Sequence, residues 1–226
     1  KMMLIYDDIF KKISEYQTDN EKIQLSMASH RTDKLKHIFI YRNKIKINLI
    51  YRLPYFDNFE NVEIFDDNYR TLPTMSKYVH YFATSRFIPS NVTHLTFSDN
   101  FDEPVNDIIP LKVTHLTFGR YFGEFNNRPI NKLPPAITHL TFGRYFNSPV
   151  ELHHNITHLT FGACFDRLIE LTSSITHLTL GLWFDKPDIV FPQSLTHLIY
   201  FEGFDKVKTF NQKISDNVII IKKSII

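Results

Sequence analysis

The stretch Ile137-Thr138-His139-Leu140-Thr141-Phe142 decides the fold, because this chain of 226 residues repeats it with small changes. The triplet Thr-His-Leu occurs six times, and its histidines are spaced by 21, 24, 19, 19 and 20 residues. These histidines are His94, His115, His139, His158, His177 and His197. A period of about 20 residues is typical of a solenoid, in which each coil covers the apolar side of its neighbour.

Each repeat follows the pattern apolar-x-x-apolar-x-apolar, which is the strand pattern of leucine-rich repeats. Because alternate residues of a strand face opposite sides, Leu140 and Phe142 are predicted to point inward. His139 and Thr141 are predicted to point outward, and stacking places like residues about 4.8 Å apart. The outward columns form the candidate partner-binding face. It comprises His94, Thr96, His115, Thr117, His139, Thr141, His158, Thr160, His177, Thr179 and His197.

A second aromatic residue lies eight positions after the threonine of each repeat: Phe101, Phe122, Phe146, Phe165, Phe184 and Phe204. All except Phe122, which precedes Gly123, are followed by Asn or Asp, whose side chains are predicted to bond backbone groups in the turn. A loop insertion at residues 123–127 accounts for the 24-residue spacing. Prolines disfavour a helix in the returning segments, which are therefore predicted to be extended or 3₁₀. These are Pro104, Pro129, Pro149 and Pro187.

Irregular strands are predicted at both ends of the repeats. Residues 218–223 indicate a closing strand that places Lys223 where the inner Phe would stand. Residues 62–65 and 79–82 resemble degenerate coils, and the alternation of Ile45, Ile47 and Leu49 predicts a capping strand.

Residues 4 to 42 have a helical period instead. Ile5, Ile9, Ile13 and Tyr16 lie three or four residues apart, which predicts a first helix. Thr18 and Glu21 have the spacing of a capping box and predict the start of a second helix. Either Thr32 or Asp33 is expected to cap a third, which carries Leu35, Ile38 and Phe39. These helices are expected either to pack on the first coil or to contact a partner.

The predicted fold is mainly β. It is a leucine-rich-repeat-like solenoid with a parallel β-sheet and few or no helices in the repeats, plus a small N-terminal α-helical cap. The expected division is a helical cap at 1–44, a capping strand and degenerate coils at 45–91, the repeat solenoid at 92–215 and a C-terminal capping strand at 216–226.

Composition excludes several classes of function. The net charge of +2, from 26 basic and 24 acidic residues, argues against a large nucleic-acid surface. Arg120 and Arg144 occupy equivalent places in adjacent coils and indicate only a small basic edge. Cys164 is the only cysteine and is interpreted as a half-buried filler. No phosphate loop, nucleophile elbow or HExxH motif is present, so neither an enzyme nor a cofactor is predicted.

No stretch of 18 apolar residues predicts a transmembrane helix, and the start of the chain does not resemble a signal peptide, so a cytoplasmic location is expected.

The column of histidines suggests a metal site, but zinc requires a tetrahedral cage that one histidine per coil does not provide. The column is therefore predicted to be a partly exposed ladder whose rings stack and bond neighbouring threonine hydroxyls. Like charges one strand apart repel, so the array is expected to lose stability below about pH 6.

Residues 133–150, Leu-Pro-Pro-Ala-Ile-Thr-His-Leu-Thr-Phe-Gly-Arg-Tyr-Phe-Asn-Ser-Pro-Val, resemble the FNIP repeat, also called IP22. That repeat is abundant in social amoebae and in giant viruses of protists, and it is regarded as a leucine-rich-repeat variant. The resemblance covers residues 60–226 of this chain. It implies a protein-binding repeat scaffold.

Residues 6–16 are similar to the opening of an F-box, although Ile5-Tyr6 stands where Leu-Pro is usual. In viral relatives the two modules occur together. The pairing implies a substrate-recruiting adaptor of an SCF-type ubiquitin ligase, in the host cytoplasm if the protein is viral. Ile9, Phe10, Ile13 and Tyr16 are then the candidate contacts with the ligase linker subunit. The missing Leu-Pro keeps open a structural or self-associating module, such as a homodimer, with no ligase link.

Overall fold

The computed structural model describes residues 2–65, 71–124, 129–201 and 214–223, with side chains from Tyr6 onward. The chain forms two compact units, Lys1–His80 and Tyr81–Ile226. The aromatic position predicted at Phe204, and residues 125–127 of the predicted insertion, lie outside the described residues.

The first unit begins with helices α1 (Met2–Ser14) and α2 (Asp19–Met27), followed by a 3₁₀ helix at Asp33–His37. Strand β1 (Ile45–Lys46) pairs in parallel with β2 (Asn61–Ile64), and Ile45 lies opposite Val62. Between them lie 3₁₀ helices at Ile47–Leu49 and Phe56–Asn58. Strand β3 (Tyr78–Ala83) spans the division between the units, so both degenerate strands predicted at 62–65 and 79–82 are present.

The predicted capping box starts α2. The backbone N–H of Glu21 donates to Thr18 Oγ1 at 3.3 Å, and the backbone N–H of Thr18 donates to Glu21 Oε2 at 2.7 Å. This reciprocal pair satisfies two amides, one at the N-cap and one in the first turn, that have no partner within the helix. The sequence therefore located this helix start correctly.

A buried ion pair holds α2 against the chain that follows. Lys22 Nζ donates to Asp19 Oδ1 at 3.1 Å and to the Ile40 carbonyl at 2.6 Å. Asp19 Oδ2 accepts the backbone N–H groups of Arg42 at 2.9 Å and Asn43 at 2.7 Å. Each buried charge thus has an opposite charge and additional hydrogen bonds, which burial of an ion requires.

Two predictions for the first unit are wrong in detail. The third helix is a short 3₁₀ turn that ends before Ile38, because Thr32 Oγ1 accepts the backbone N–H of Ser29 rather than capping a helix. The capping strand is limited to β1, because residues 47–49 turn into a 3₁₀ helix. Ile47 and Ile50 are buried three residues apart while Leu49 is exposed, which is a helical and not an alternating pattern.

The second unit is a parallel sheet in which each strand pairs with the next in chain order. Each histidine of the repeat lies opposite the next histidine, and each leucine lies opposite the next leucine. The predicted leucine-rich-repeat-like solenoid is confirmed. Its strands are β4 (His94–Phe97), β5 (His115–Thr117), β6 (His139–Thr141), β7 (His158–Thr160), β8 (His177–Thr179), β9 (His197–Phe201) and β10 (Ile219–Lys223).

Columns of apolar side chains fill the coils. The leucines of the repeat are buried, and so are the two aromatic positions of each described coil. Phe142 stacks on Phe146 of its own coil at 3.9 Å between ring centroids and on Phe161 of the next at 5.5 Å. Each coil therefore buries its rings against both neighbours, as a solenoid requires.

A glycine column sets how closely the coils approach. A β-carbon on Gly143 would lie less than 3.0 Å from the carbonyl oxygen of Gly119 in the preceding coil. A β-carbon on Gly162 or Gly181 would collide with the backbone of the glycine in the preceding coil in the same way. One on Gly119 would collide with the backbone of Ser98. Only a residue without a side chain permits this backbone contact. The glycine column, Gly119, Gly143, Gly162 and Gly181, was not anticipated from the repeat.

The Asn and Asp residues after the second aromatic bond backbone amides, but not in their own turn. Asn147 Oδ1 accepts the N–H of Asp166 in the next coil at 3.1 Å, and Asp166 Oδ1 accepts that of Asp185 at 2.9 Å. Asp102 Oδ1 accepts the N–H of Gly123, whose φ of 76° explains the glycine at that place. These side chains join successive coils instead of closing one turn.

The described returning segments of the repeats contain turns and no helix, as the prolines predicted. Ile130 and Val150 form an isolated parallel bridge there. The predicted closing strand is β10, which pairs with β9. Its register is shifted by one residue from the expectation, because Lys222 and not Lys223 lies opposite Tyr200.

Candidate functional site

The six histidines form a continuous stack on the outer face of the sheet. Adjacent rings are parallel to within 16°, with centroids 4.0 to 4.2 Å apart. The parallel register of the strands produces this arrangement, since it holds each ring one strand spacing from the next. We call His94, His115, His139, His158, His177 and His197 the histidine ladder.

A threonine holds each ring in place. The hydroxyl of the preceding threonine lies 2.9 Å from histidine Nδ1 in all six repeats. In the middle of the array, Thr138 Oγ1 also donates to the Thr114 carbonyl of the previous coil at 3.3 Å. Nδ1 is therefore occupied, and Nε2 is the ring nitrogen that threonine leaves available.

Partial burial lowers the pKa of four ladder histidines below their ordinary value, and repulsion from neighbouring imidazoles lowers it further. These are His115, His139, His158 and His177. These four histidines are thus neutral at physiological pH, where they present hydrogen-bonding edges and apolar ring surface without charge.

The outward threonines lie beside the ladder. Thr117, Thr141, Thr160 and Thr179 are half-buried and Thr96 is exposed. Together with the ladder they form a regular face of small hydroxyl and imidazole groups, so the structure brings together all the residues of the predicted partner-binding face.

Stacking also explains why the ladder is a poor metal site. The lone pair of an imidazole nitrogen lies in the ring plane, so parallel rings direct their lone pairs side by side instead of toward one point. Within residues 2–65, 71–124, 129–201 and 214–223, no three His, Cys, Asp or Glu side chains form a group that could hold a metal ion.

A second row of side chains lies in the turn just beyond the strands. The N–H of Tyr145 donates to the Arg120 carbonyl at 3.0 Å, that of Cys164 to Arg144 at 2.8 Å, and that of Trp183 to Ala163 at 2.9 Å. These bonds stack equivalent turn residues of successive coils. The row, which we call the turn strip, consists of Arg120, Tyr121, Arg144, Tyr145, Cys164 and Trp183.

Sequence reasoning noticed the two arginines of the turn strip but not its aromatic residues. Cys164 stands between Tyr145 and Trp183 in the series of equivalent turn positions, so the aromatic row is not recognisable from the repeat pattern. Burial raises the pKa of the Cys164 thiol, so Cys164 is not activated as a nucleophile, which agrees with its interpretation as a half-buried filler.

The candidate linker contacts lie on and just after α1. The side chains of Ile9 and Ile13 are 50% and 45% exposed, and Tyr16, just beyond the helix, is 86% exposed. Phe10 is half-buried and lines a groove of about 810 Å³ with Tyr6 and Leu35. The apolar face of α1 is therefore largely uncovered within the first unit.

Strand β10 also exposes apolar side chains. All five of its residues are exposed, including Ile219, Ile220 and Ile221. Where the structure describes the chain, none of its helices has the length and apolar character needed to cross a bilayer.

Comparison with known proteins agrees with this architecture. The family model of the FNIP repeat matches residues 84–121 and 125–164. The crystal structure of CroV588, described as a novel circular LRR protein, is similar to this chain with a TM-score of 0.56 and 23% sequence identity. The similarity covers 80% of this chain but only 32% of that one, so this chain spans about a third of its length. No curated protein matches the sequence.

Proposed function

Because the chain carries FNIP repeats in a leucine-rich-repeat-like solenoid, we propose that it is a protein-binding scaffold that recruits a target to an SCF-type ubiquitin ligase. In this proposal the face formed by the histidine ladder and its threonines binds the target. The α1 segment binds the ligase linker subunit. The protein performs no catalysis itself, as is typical of repeat solenoids of this type.

The regularity of the ladder face supports target binding. Its rings are held in position by threonine before any partner arrives, so little side-chain freedom is lost on binding. The four ladder histidines with lowered pKa values are uncharged at neutral pH, which lowers the cost of removing water from them. A preorganised, weakly polar face of this kind suits a protein surface better than a phosphate backbone.

The exposed apolar face of α1 is the single observation that carries the adaptor role. Apolar side chains spaced three or four residues apart on one helical face are the usual means by which a helix enters a groove of another protein. α2 differs, because its polar residues Asp19 and Lys22 are buried against the Arg42 region. α2 thus anchors the segment while α1 remains available.

Isothermal titration of the purified chain against a purified ligase linker subunit tests the adaptor role. We expect saturable binding that the double substitution Ile9→Asp/Ile13→Asp weakens by about tenfold or more, since it places two charges in an apolar contact. The matched control is Ile23→Asp/Met27→Asp on α2, whose apolar side chains are also exposed. No binding by the unaltered chain, or equal loss in both variants, contradicts the adaptor role.

Self-association without a ligase is the second candidate, and the exposed isoleucines of β10 favour it. A strand with exposed isoleucines offers apolar side chains against which another copy can pack. Light scattering over a range of concentrations distinguishes the candidates. A dimer that Ile220→Lys converts to a monomer supports self-association, and a monomer at all concentrations contradicts it.

A further inference from the structure

The turn strip concentrates the residue types that dominate protein interfaces. Arginine, tyrosine and tryptophan are the residues most enriched among binding hot spots. Here they occupy equivalent turn positions of neighbouring coils, at one edge of the sheet. The turn strip is distinct from the histidine ladder, because its residues lie in the turns after the strands and the ladder histidines lie in the strands themselves.

The strip is ordered by its own contacts. The rings of Tyr121 and Tyr145 are parallel to within 7°, with centroids 5.3 Å apart. The guanidinium of Arg120 lies 5.8 Å from the Tyr145 ring centroid and that of Arg144 lies 5.6 Å from it. Tyr145 is thus flanked by two cations, and stacking limits the freedom that both arginines would lose on binding.

Both guanidinium groups are exposed and remain available for a carboxylate. Within the described part of the chain, neither Arg120 nor Arg144 forms an ion pair with Asp or Glu. Asp99 of the preceding coil accepts the backbone N–H of Arg120 at 3.0 Å. A hydrogen bond with Tyr145 and, to a smaller extent, the charge of Asp99 raise the pKa of the Arg120 guanidinium. The negative charge of Glu124 also contributes to the raised pKa of the Cys164 thiol, after burial.

Cys164 leaves a gap in the aromatic row. It stands where Tyr145 stands in the coil before and Trp183 in the coil after. Two strand spacings, or about 10 Å, separate those aromatic positions, and the smaller side chain of Cys164 lies between them. Trp183 is 59% exposed at the far side of this gap.

We propose that the turn strip is a docking surface for an acidic protein segment, whose carboxylates bind Arg120 and Arg144 while a neighbouring side chain enters the gap above Cys164. This proposal rests on the scaffold function and adds to it a second surface with a defined partner chemistry. Bidentate pairing of guanidinium with carboxylate supplies the orientation, and the aromatic residues supply the buried contact area.

The chain contains two built-in reporters of this site. Trp183 is its only tryptophan and Cys164 its only cysteine, and both belong to the turn strip. A segment bound there should change the fluorescence of Trp183 and slow the alkylation of Cys164. These readouts do not depend on the histidine ladder or on α1.

The test titrates the full chain with a short poly-glutamate peptide and follows Trp183 fluorescence. We expect a saturable change, and Arg120→Gln/Arg144→Gln should weaken binding by about tenfold, which corresponds to about 1.4 kcal/mol. The control Lys112→Gln/Lys132→Gln removes the same charge from exposed residues of the returning segments and should change affinity less than about twofold. Iodoacetamide should modify Cys164 more slowly when the peptide is present.

Several outcomes overturn the proposal. Equal weakening in both double variants indicates attraction by net charge alone, and the absence of a saturable change excludes the site. Tighter binding of an oligothymidylate than of poly-glutamate indicates a nucleic-acid surface. If Thr141→Glu/Thr160→Glu abolishes peptide binding while Arg120→Gln/Arg144→Gln does not, the strip is wrong and the scaffold function stands.

Discussion

The repeat array and the N-terminal helical segment are stabilised in opposite ways. In the array, the same few contacts recur in every coil: the stacked imidazoles, the aromatic columns and the glycine column. In the helical segment, one buried ion pair between Asp19 and Lys22 connects α2 with Arg42, and no other described contact repeats it. Loss of one contact therefore removes a fraction of the array's stabilisation but the principal polar anchor of the helical segment.

The difference shows what each region is suited to do. A periodic array forms a broad surface whose properties change little from coil to coil. A segment with one anchor and an uncovered helix presents a single docking element, α1. Stability that is divided among neighbours in an array also makes unfolding cooperative along it.

The largest effect is expected from Phe146→Ala in the array. Phe146 is fully buried and contacts the rings of Phe142, Phe122 and Phe165. Its removal leaves a cavity shared by three coils and should lower the free energy of unfolding by about 3–5 kcal/mol. Urea denaturation followed by Trp183 fluorescence measures it. The exposed Phe87 is the control, since Phe87→Ala should change stability by about 0.5 kcal/mol or less.

The second prediction concerns the helical segment. Asp19→Ala leaves the ammonium of Lys22 buried without its carboxylate and should destabilise the segment by about 3 kcal/mol. Hydrogen exchange of the Arg42 and Asn43 amides should accelerate, because both lose their acceptor. Asp33→Ala, which removes only an exposed ion pair with Lys36, is the control. The Trp183 transition in urea reports on the array. If Asp19→Ala lowered the stability measured there as much as that of the helical segment, the contrast between the two regions would be contradicted.

Gly143→Ala tests the glycine column. The added methyl group would collide with the Gly119 backbone, so the two coils must separate, at a cost of about 1–3 kcal/mol. Ser98→Ala is the matched control, because Ser98 occupies the equivalent place in an earlier coil and already carries a β-carbon. Urea denaturation of both variants measures the difference, and equal stability would show that the coils absorb the methyl group.

Acidification should produce the smallest effect and should separate the two regions. Unfolded histidines titrate near pH 6.5, about their ordinary value, whereas burial lowers the pKa of His115, His139, His158 and His177 in the folded ladder. As pH falls below the unfolded value, the unfolded chain binds more protons, so the array loses stability until the folded pKa values are passed. In the helical segment, hydrogen bonds lower the pKa of Glu21 and Asp33, so their contribution is lost only in more acidic solution. A melting temperature of the array that is unchanged between pH 7.5 and pH 5.5 would contradict this.

The array was predictable because its pattern repeats. Six copies of one strand place leucine and phenylalanine inside and histidine outside, and only in-register stacking satisfies all six. The threonine and imidazole contact followed from the same reasoning. The direction of the Asn and Asp contacts did not, because the sequence does not reveal whether a side chain bonds its own turn or the next coil.

Other features were not predictable for physical reasons. The Asp19 carboxylate meets backbone amides more than 20 residues away, and no period signals such a contact. Ile45, Ile47 and Leu49 alternate as in a strand, yet burial of Ile47 and Ile50 favours a 3₁₀ turn. The turn strip was visible only as two arginines, since Cys164 breaks its aromatic series. The glycines recur at one position of the repeat, but the reason for them is the close approach of the preceding coil's backbone, which the sequence does not show.

The Asn and Asp side chains that bond the coil ahead give the array a direction. From Asn147 onward, each described carboxylate or amide oxygen of this kind is offered to the amide of the next coil, as Asn147, Asp166 and Asp185 illustrate. An in-frame duplication of the whole coil that carries Asp166 would leave every such donor and acceptor matched, whereas a partial copy would leave one of them without its partner. Lengthening by complete units is thus the change that this architecture tolerates best.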